Sequence, residues 1–186
     1  MVERIERALR AGVQAVQLRE KDLNTREIVD YARSLRKVTR RYGASLIIND
    51  RVDVALAVGA DGVHLGYQSM PVEAVRRIAG GALLIGVSTH GLAQAREAER
   101  AGADFITFGP VFHTASKAAF GEPLGVDRLA EAAGEIRIPV FAIGGINSRN
   151  VSSVMKRGAH GVAMISAILG ADDIENNTLE IVRLMK

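Results

Sequence analysis

The sequence predicts an α/β fold, a (β/α)8 (TIM) barrel whose first strand is missing, with residues 1–186 forming one domain. Three observations predict it. Segments 11–18 (AGVQAVQL), 58–65 (VGADGVHL), 101–108 (AGADFITF) and 157–164 (RGAHGVAM) repeat one pattern: a glycine, two or three spacers, then a short apolar run. Their glycines, Gly12, Gly59, Gly102 and Gly158, recur at intervals of 47, 43 and 56 residues, too long for one βα unit and right for two. Between the repeats, further short apolar runs alternate with helical patterns, which is the order of a parallel sheet. An open doubly wound sheet imposes no such two-unit rhythm.

Taken in order, residues 1–12 (MVERIERALRAG) have the spacing of an amphipathic helix, and the glycine that ends it suits a left-handed helix terminus. A strand follows over 14–18. A helix over 25–41 starts at Thr25 and stops before Gly43. SLIIN (45–49) is a strand, and a helix begins near Arg51. After a strand over 62–66, Met70–Pro71 opens a helix over 71–79, where proline suits the first turn. Strands over 83–88, 104–109, 139–144 and 160–165 alternate with helices over 91–101, 125–134 and 148–157. Seven strands are counted, and four two-unit modules imply eight. One strand with its loop, about 10–25 residues, is therefore expected to precede Met1 in a longer relative. An open sheet edge also invites strand addition from a neighbouring chain, so a homo-oligomer that fills the gap is a second expectation.

Composition excludes several classes. Without cysteine there is no disulfide framework, thiolate zinc site or cysteine nucleophile, and a cytoplasmic location is expected. No run approaches the roughly 18 apolar residues of a membrane span, and the acidic residues in the N-terminal helix do not suit a signal peptide. Absent tryptophan and 4% aromatics argue against a base-stacking nucleic-acid platform. The net charge of +3 is compatible with anionic small molecules and with an ordinary surface.

In a barrel the site forms where the strands end. The first strand here leads to Gln17, Arg19, Glu20, Lys21 and Asp22; the next to Asn49, Asp50 and Arg51; the next to His64 and Gly66–Ser69. Ser88, Thr89 and His90 follow, then Gly109 with the long loop 110–125, then Gly144, Gly145 and Asn147, and last Ser166. Cations (Arg19, Lys21, Lys117) and a glycine- and hydroxyl-rich end suit phosphate groups held by backbone N–H donors. Asp50 beside Asn49 is the carboxylate at a strand end, and a carboxylate among phosphate-binding cations suits Mg²⁺. Each has a plainer reading. Arg19 and Lys21 can be solvated charges, Asp50 can cap the helix near Arg51, and Gly144–Gly145 can be a tight turn. His64, His90 and His160 read as core or supporting histidines, whereas His113 sits on a loop suited to proton transfer. The length of the 110–125 loop suits a lid.

QLREK (17–21), IND (48–50), DGVHLG (61–66), GVSTH (86–90), ADFITFGPVFHTASK (103–117), GEPLG (121–125), AIGGI (142–146) and GVAMISAI (161–168) together resemble the thiamine phosphate synthase family, in that family's order, over about residues 10–170. The resemblance implies a transferase that joins hydroxymethylpyrimidine diphosphate to thiazole phosphate, releasing diphosphate, with these phosphorylated heterocycles and Mg²⁺ as partners. It implies that Gln17, Leu18, Arg19, Glu20, Lys21, Asn49, Ser88 and Lys117 line the pyrimidine diphosphate site. Arg19, Lys21, Ser88 and Lys117 would act at the reacting centre, and Asp50 would hold Mg²⁺. Thr114, Ala115, Ser116, Gly145, Ile165 and Ser166 would hold the thiazole phosphate. One position departs: where the family carries a second metal aspartate, this chain has Ser69, in His64-Leu65-Gly66-Tyr67-Gln68-Ser69. The related TenI-like thiazole tautomerases also often lack that acid, but their histidine after the sixth strand corresponds to Pro110 here, with His113 three residues on. A non-catalytic barrel that binds a thiamine precursor is the third alternative.

Overall fold

The structure, a computed structural model, describes residues 1–114 and 122–186. Helix α1 (Val2–Arg10) comes first, then β1 (Ala15–Leu18), α2 (Thr25–Arg41), β2 (Ser45–Asn49), α3 (Val52–Val58), β3 (Gly62–Leu65), α4 (Val72–Ala79) and β4 (Leu84–Thr89). The second half has α5 (Leu92–Arg100), β5 (Phe105–Phe108), α6 (Gly125–Glu135), β6 (Val140–Ile143), α7 (Val151–Met155), β7 (Gly161–Ala163), α8 (Ser166–Leu169) and α9 (Ile174–Leu184). The seven strands form one parallel sheet in strict sequential order. That order has no switch point, which removes the doubly wound alternative and is the topology of a TIM-like fold. The first and last strands are not paired with each other.

Side-chain alternation separates the two faces of the sheet. Leu46, Ile48, Val63, Ile85, Ile106 and Ala142 are fully buried towards the helices, and the register sets Ile48, Val63 and Ile85 side by side across β2, β3 and β4. Burying each large aliphatic contributes roughly 1.5–3 kcal/mol. The opposite parity carries Gln17, Asn49, His64, Ser88, Thr107 and Phe141, the inner face. Helices α1, α8 and α9 pack on one another across the two ends of the sheet. Arg4 donates to the Leu169 and Ala171 carbonyls at 2.6 and 3.2 Å, and Arg7 pairs with Asp173 at 3.3 Å. The outer layer thereby brings β1 and β7 towards each other.

The repeats have a physical basis at the N-terminal ends of the strands. Asp61 and Asp104 hold the same place in two of them. Each carboxylate accepts from the backbone N–H of the preceding strand, Leu46 and Ile85, both at 2.7 Å. Each also meets an arginine from the helix before that strand. Arg36 of α2 grips Asp61 through two bonds of 2.6 and 3.0 Å, and Arg76 of α4 reaches Asp104 at 2.7 Å. Burial pushes the Asp61 carboxyl up, but the Arg36 and Leu46 contacts outweigh it and hold the group below its ordinary value. The other two repeats place Gln14 and His160 there.

Candidate active site

The C-terminal ends of the strands differ from the opposite ends in what their polar groups do. On β1 and β2, Gln17 Nε2 donates to Asn49 Oδ1 at 3.3 Å, tying two inner-face amides across the strand pair. The Leu18 side chain is buried in the core, so its backbone is what can face a ligand. Arg19, Glu20 and Lys21 are exposed on the loop that follows.

Asp50 has φ +66°, the one non-glycine residue with positive φ among those described. Its N–H donates to the His64 carbonyl at 2.9 Å, which fixes the turn. A left-handed aspartate costs more than the glycine that could replace it, and such strain collects at functional positions. The helix-cap expectation for Asp50 is corrected: the cap position of α3 is Arg51, and no side chain caps that helix. Arg51 itself is drawn away to Asp53, at 2.6 and 2.8 Å. Among the described residues the Asp50 carboxylate has no hydrogen-bond or ion-pair partner.

Next to it, β3 ends in a turn that Ser69 closes: its Oγ accepts from the Gly66 N–H at 2.7 Å. Ser69 is thus occupied in its own turn. Below these groups His64 is 5% exposed, and its Nε2 lies 3.2 Å from Thr107 Oγ1. Burial lowers its pKa to about 4, so the ring is neutral. It opens a run of rings, His64, Phe105, Phe141 and His160, with successive centroids 6.0, 5.7 and 5.3 Å apart. Gly86 makes room for it, because a Cβ there would overlap the Phe105 ring. Ser88, half-buried at the end of β4, is in register with Thr107.

Beyond β5 the chain lies along β6. Val111 N–H donates to the Ile143 carbonyl at 2.9 Å and Phe112 N–H to that of Gly144 at 3.0 Å. Gly145 has φ +65°, and a Cβ on it would come within 2.5 Å of the His113 carbonyl, so the close approach requires glycine. One side-chain amide braces this turn twice: Asn150 Nδ2 donates to the Gly145 carbonyl at 3.0 Å, and Asn150 Oδ1 accepts from the Asn147 N–H at 2.8 Å. Ile165 and Ser166 are exposed where α8 begins. Thr114 is half-buried, and Ala115, Ser116 and Lys117 lie outside the described residues.

Two histidines differ from expectation. His90 is exposed and its Nδ1 meets the Gly109 carbonyl, because β4 ends one residue before it and turns the ring towards β5. His160 is exposed at the N-terminal end of β7, edge-on to Phe141. His64 is the core histidine of the set, and His113 is exposed on its loop as expected. The bracing role of Asn150 went unread, although an Asn three residues after Asn147 in a glycine turn is an available signal.

Among the described residues no three His, Cys, Asp or Glu side chains come together as a ligand cluster. Asp50 offers one free carboxylate, which fits a hard cation that shares its coordination with a phosphorylated ligand and keeps water. It does not fit an ion caged by protein alone. No helix among the described residues is long and apolar enough to cross a membrane.

The family described as thiamine monophosphate synthase matches residues 1–168. A thiamine-phosphate synthase of Chloroflexus aurantiacus is 49% identical over 170 residues, covering 91% of this chain and 78% of the relative. One of Clostridium novyi is 46% identical over 175 residues, covering 94% and 86%. The solved structure of a thiamine phosphate pyrophosphorylase from Pyrococcus furiosus superposes with a TM-score of 0.93 at 42% identity, covering 99% of this chain and 88% of that one. The chain belongs to the thiamine monophosphate synthase family.

Proposed function

We propose that this protein is a thiamine-phosphate synthase that joins a pyrimidine diphosphate to a thiazole phosphate. The observation that carries this is the uncommitted set at the strand ends, Arg19, Lys21 and Asp50 with the inner-face groups Gln17, Asn49 and Ser88, in a chain 46% and 49% identical to proteins of that name. In the reaction the bond between the pyrimidine methylene carbon and the diphosphate oxygen breaks, and the oxygen keeps the electron pair. A bond from the thiazole nitrogen to that carbon forms. Arg19 and Lys21, with Lys117, neutralise the departing diphosphate, and positioned donors aimed at developing charge are the largest usual contribution to such a step. Gln17 and Asn49 hold the pyrimidine side and Ser88 donates near the leaving group. The braced turn at Gly145, with Thr114, Ala115, Ser116, Ile165 and Ser166, takes the thiazole phosphate and presents its nitrogen to the carbon. Asp50 would hold Mg²⁺ together with diphosphate oxygens, and the ion when bound supplies further charge neutralisation.

We also infer that the sheet is seven-eighths of a closed barrel. β1 and β7 each keep one unpaired edge while the helices outside them pack together, and a parallel strand between them would satisfy both edges. Ser69 is shared with the tautomerase group, but Pro110 stands at the position of that group's histidine, which speaks against the tautomerase reading.

The test is an assay of the protein with both substrates and Mg²⁺. Thiamine phosphate and diphosphate are expected in equal amounts, and neither when one substrate is withheld. Absence of product with both substrates and excess Mg²⁺ would remove the assignment.

A further inference from the structure

We infer that His90 is a positioning residue, which sets the turn proposed for the thiazole phosphate against the strand end proposed for the pyrimidine diphosphate. On the synthase reading, on which this rests, His90 has so far no part. It follows Ser88 and Thr89, the last residues of β4. Its backbone is fixed from α5, because its N–H donates to Gln94 Oε1 at 2.7 Å. Its ring crosses to the end of β5, where Nδ1 meets the Gly109 carbonyl. A carbonyl only accepts, so Nδ1 carries the proton and donates. The N–H of the same Gly109 donates to the Thr89 carbonyl at 3.1 Å. Two consecutive residues at the end of β4 therefore hold the N–H and the carbonyl of Gly109, Thr89 through its backbone and His90 through its ring.

Gly109 is where the chain leaves β5. It lies so close to β6 that a Cβ there would overlap the Ile143 carbonyl. From it the backbone runs on along β6, and Phe112 and His113 lie against Gly145, where a Cβ would meet both. Thr114 comes next in the chain. The direction in which Gly109 sends the chain thus sets how this stretch meets the Gly145 turn. Ser88, on the pyrimidine side, is two residues before His90 on the other end of the same link. The reaction needs the thiazole nitrogen held in line with the pyrimidine methylene carbon, so the spacing between the two halves of the site matters. An exposed histidine is in many places only a solvated surface group. Here the ring is committed to a backbone carbonyl that joins those halves.

Steady-state kinetics of the intact protein tests this, with each substrate varied while the other saturates and Mg²⁺ is in excess. Two polar substitutions of this exposed residue separate the ring nitrogens. His90→Asn places an amide nitrogen where Nδ1 sits. His90→Gln places one near Nε2 and leaves the Gly109 carbonyl without its donor. His90→Gln should raise KM for the thiazole phosphate roughly five- to tenfold, the effect of one lost hydrogen bond. Its kcat and its KM for the pyrimidine diphosphate should change by less than about twofold. His90→Asn should keep the values of the unaltered protein. The proposal is overturned if His90→Gln keeps the thiazole phosphate KM, if it raises both KM values alike, or if His90→Asn is as impaired as His90→Gln. If the unaltered protein forms no thiamine phosphate, the synthase reading itself falls, and the proposal with it.

Discussion

The two ends of the parallel sheet spend their charges differently. At the N-terminal ends, Asp61 and Asp104 are each bound to an arginine and to a backbone N–H, so both carboxylates are matched and the strands are pinned to the helices. At the C-terminal ends, Arg19, Lys21 and Asp50 are exposed and make no ion pairs among the described residues, and Asp50 occupies a left-handed backbone. One end uses polar chemistry for stability. The other leaves these charges unmatched among the described residues and carries a left-handed aspartate, the division expected of a barrel enzyme.

The largest effect should come from the reserved end. Asp50→Asn keeps the shape and removes the charge, and should lower kcat/KM by roughly a hundredfold with the urea midpoint unchanged. A steady-state assay beside a denaturation curve shows both. Equal losses in the two would break the contrast between the ends.

The next effect lies beneath the site and depends on pH. His64 titrates near 4 in the folded protein and near 6.5 when unfolded. The unfolded chain therefore takes up the proton first as pH falls. Stability is full above about 6.5, declines between 6.5 and 4, and by pH 4 has lost about 3 kcal/mol through this group. Urea unfolding across that window should show the slope, and His64→Asn should remove it. Below pH 4 a further decline is expected as Asp61, whose folded pKa is depressed by Arg36, is protonated and its contribution is lost.

The smallest effect concerns strain alone. Asp50→Gly relieves the left-handed backbone and should raise unfolding free energy by up to about 1 kcal/mol, while activity falls as for Asp50→Asn. A loss of stability would mean that Asp50 makes a structural contact.

Much of this was legible in the sequence because it follows from period and punctuation. β2 matches its expected span of 45–49 and α2 its span of 25–41, since Asn24 with Glu27 forms a reciprocal cap at the start of α2 and the chain turns at Gly43. α7 is shorter than the 148–157 pattern because the Asn147–Asn150 turn occupies its first residues. Helices α8 and α9 were not read, and α9 is tied to α1 through pairs such as Arg10–Glu175 that are far apart in sequence. Motif order pointed to candidate site residues, but the fate of each side chain was hidden. Whether Asp50 caps a helix, whether Ser69 is free and which way His90 turns depend on neighbouring strands, and no local pattern encodes that.

The most direct test of the account pairs one arginine from each end of the sheet. Arg19→Met and Arg36→Met are compared in urea unfolding and in formation of thiamine phosphate. Arg19→Met should keep the unfolding midpoint and lose most turnover. Arg36→Met, which leaves Asp61 half-buried without its partner, should lose roughly 2–3 kcal/mol and keep turnover per folded molecule. Full turnover in Arg19→Met, or a loss of stability in it comparable to that in Arg36→Met, would contradict the account.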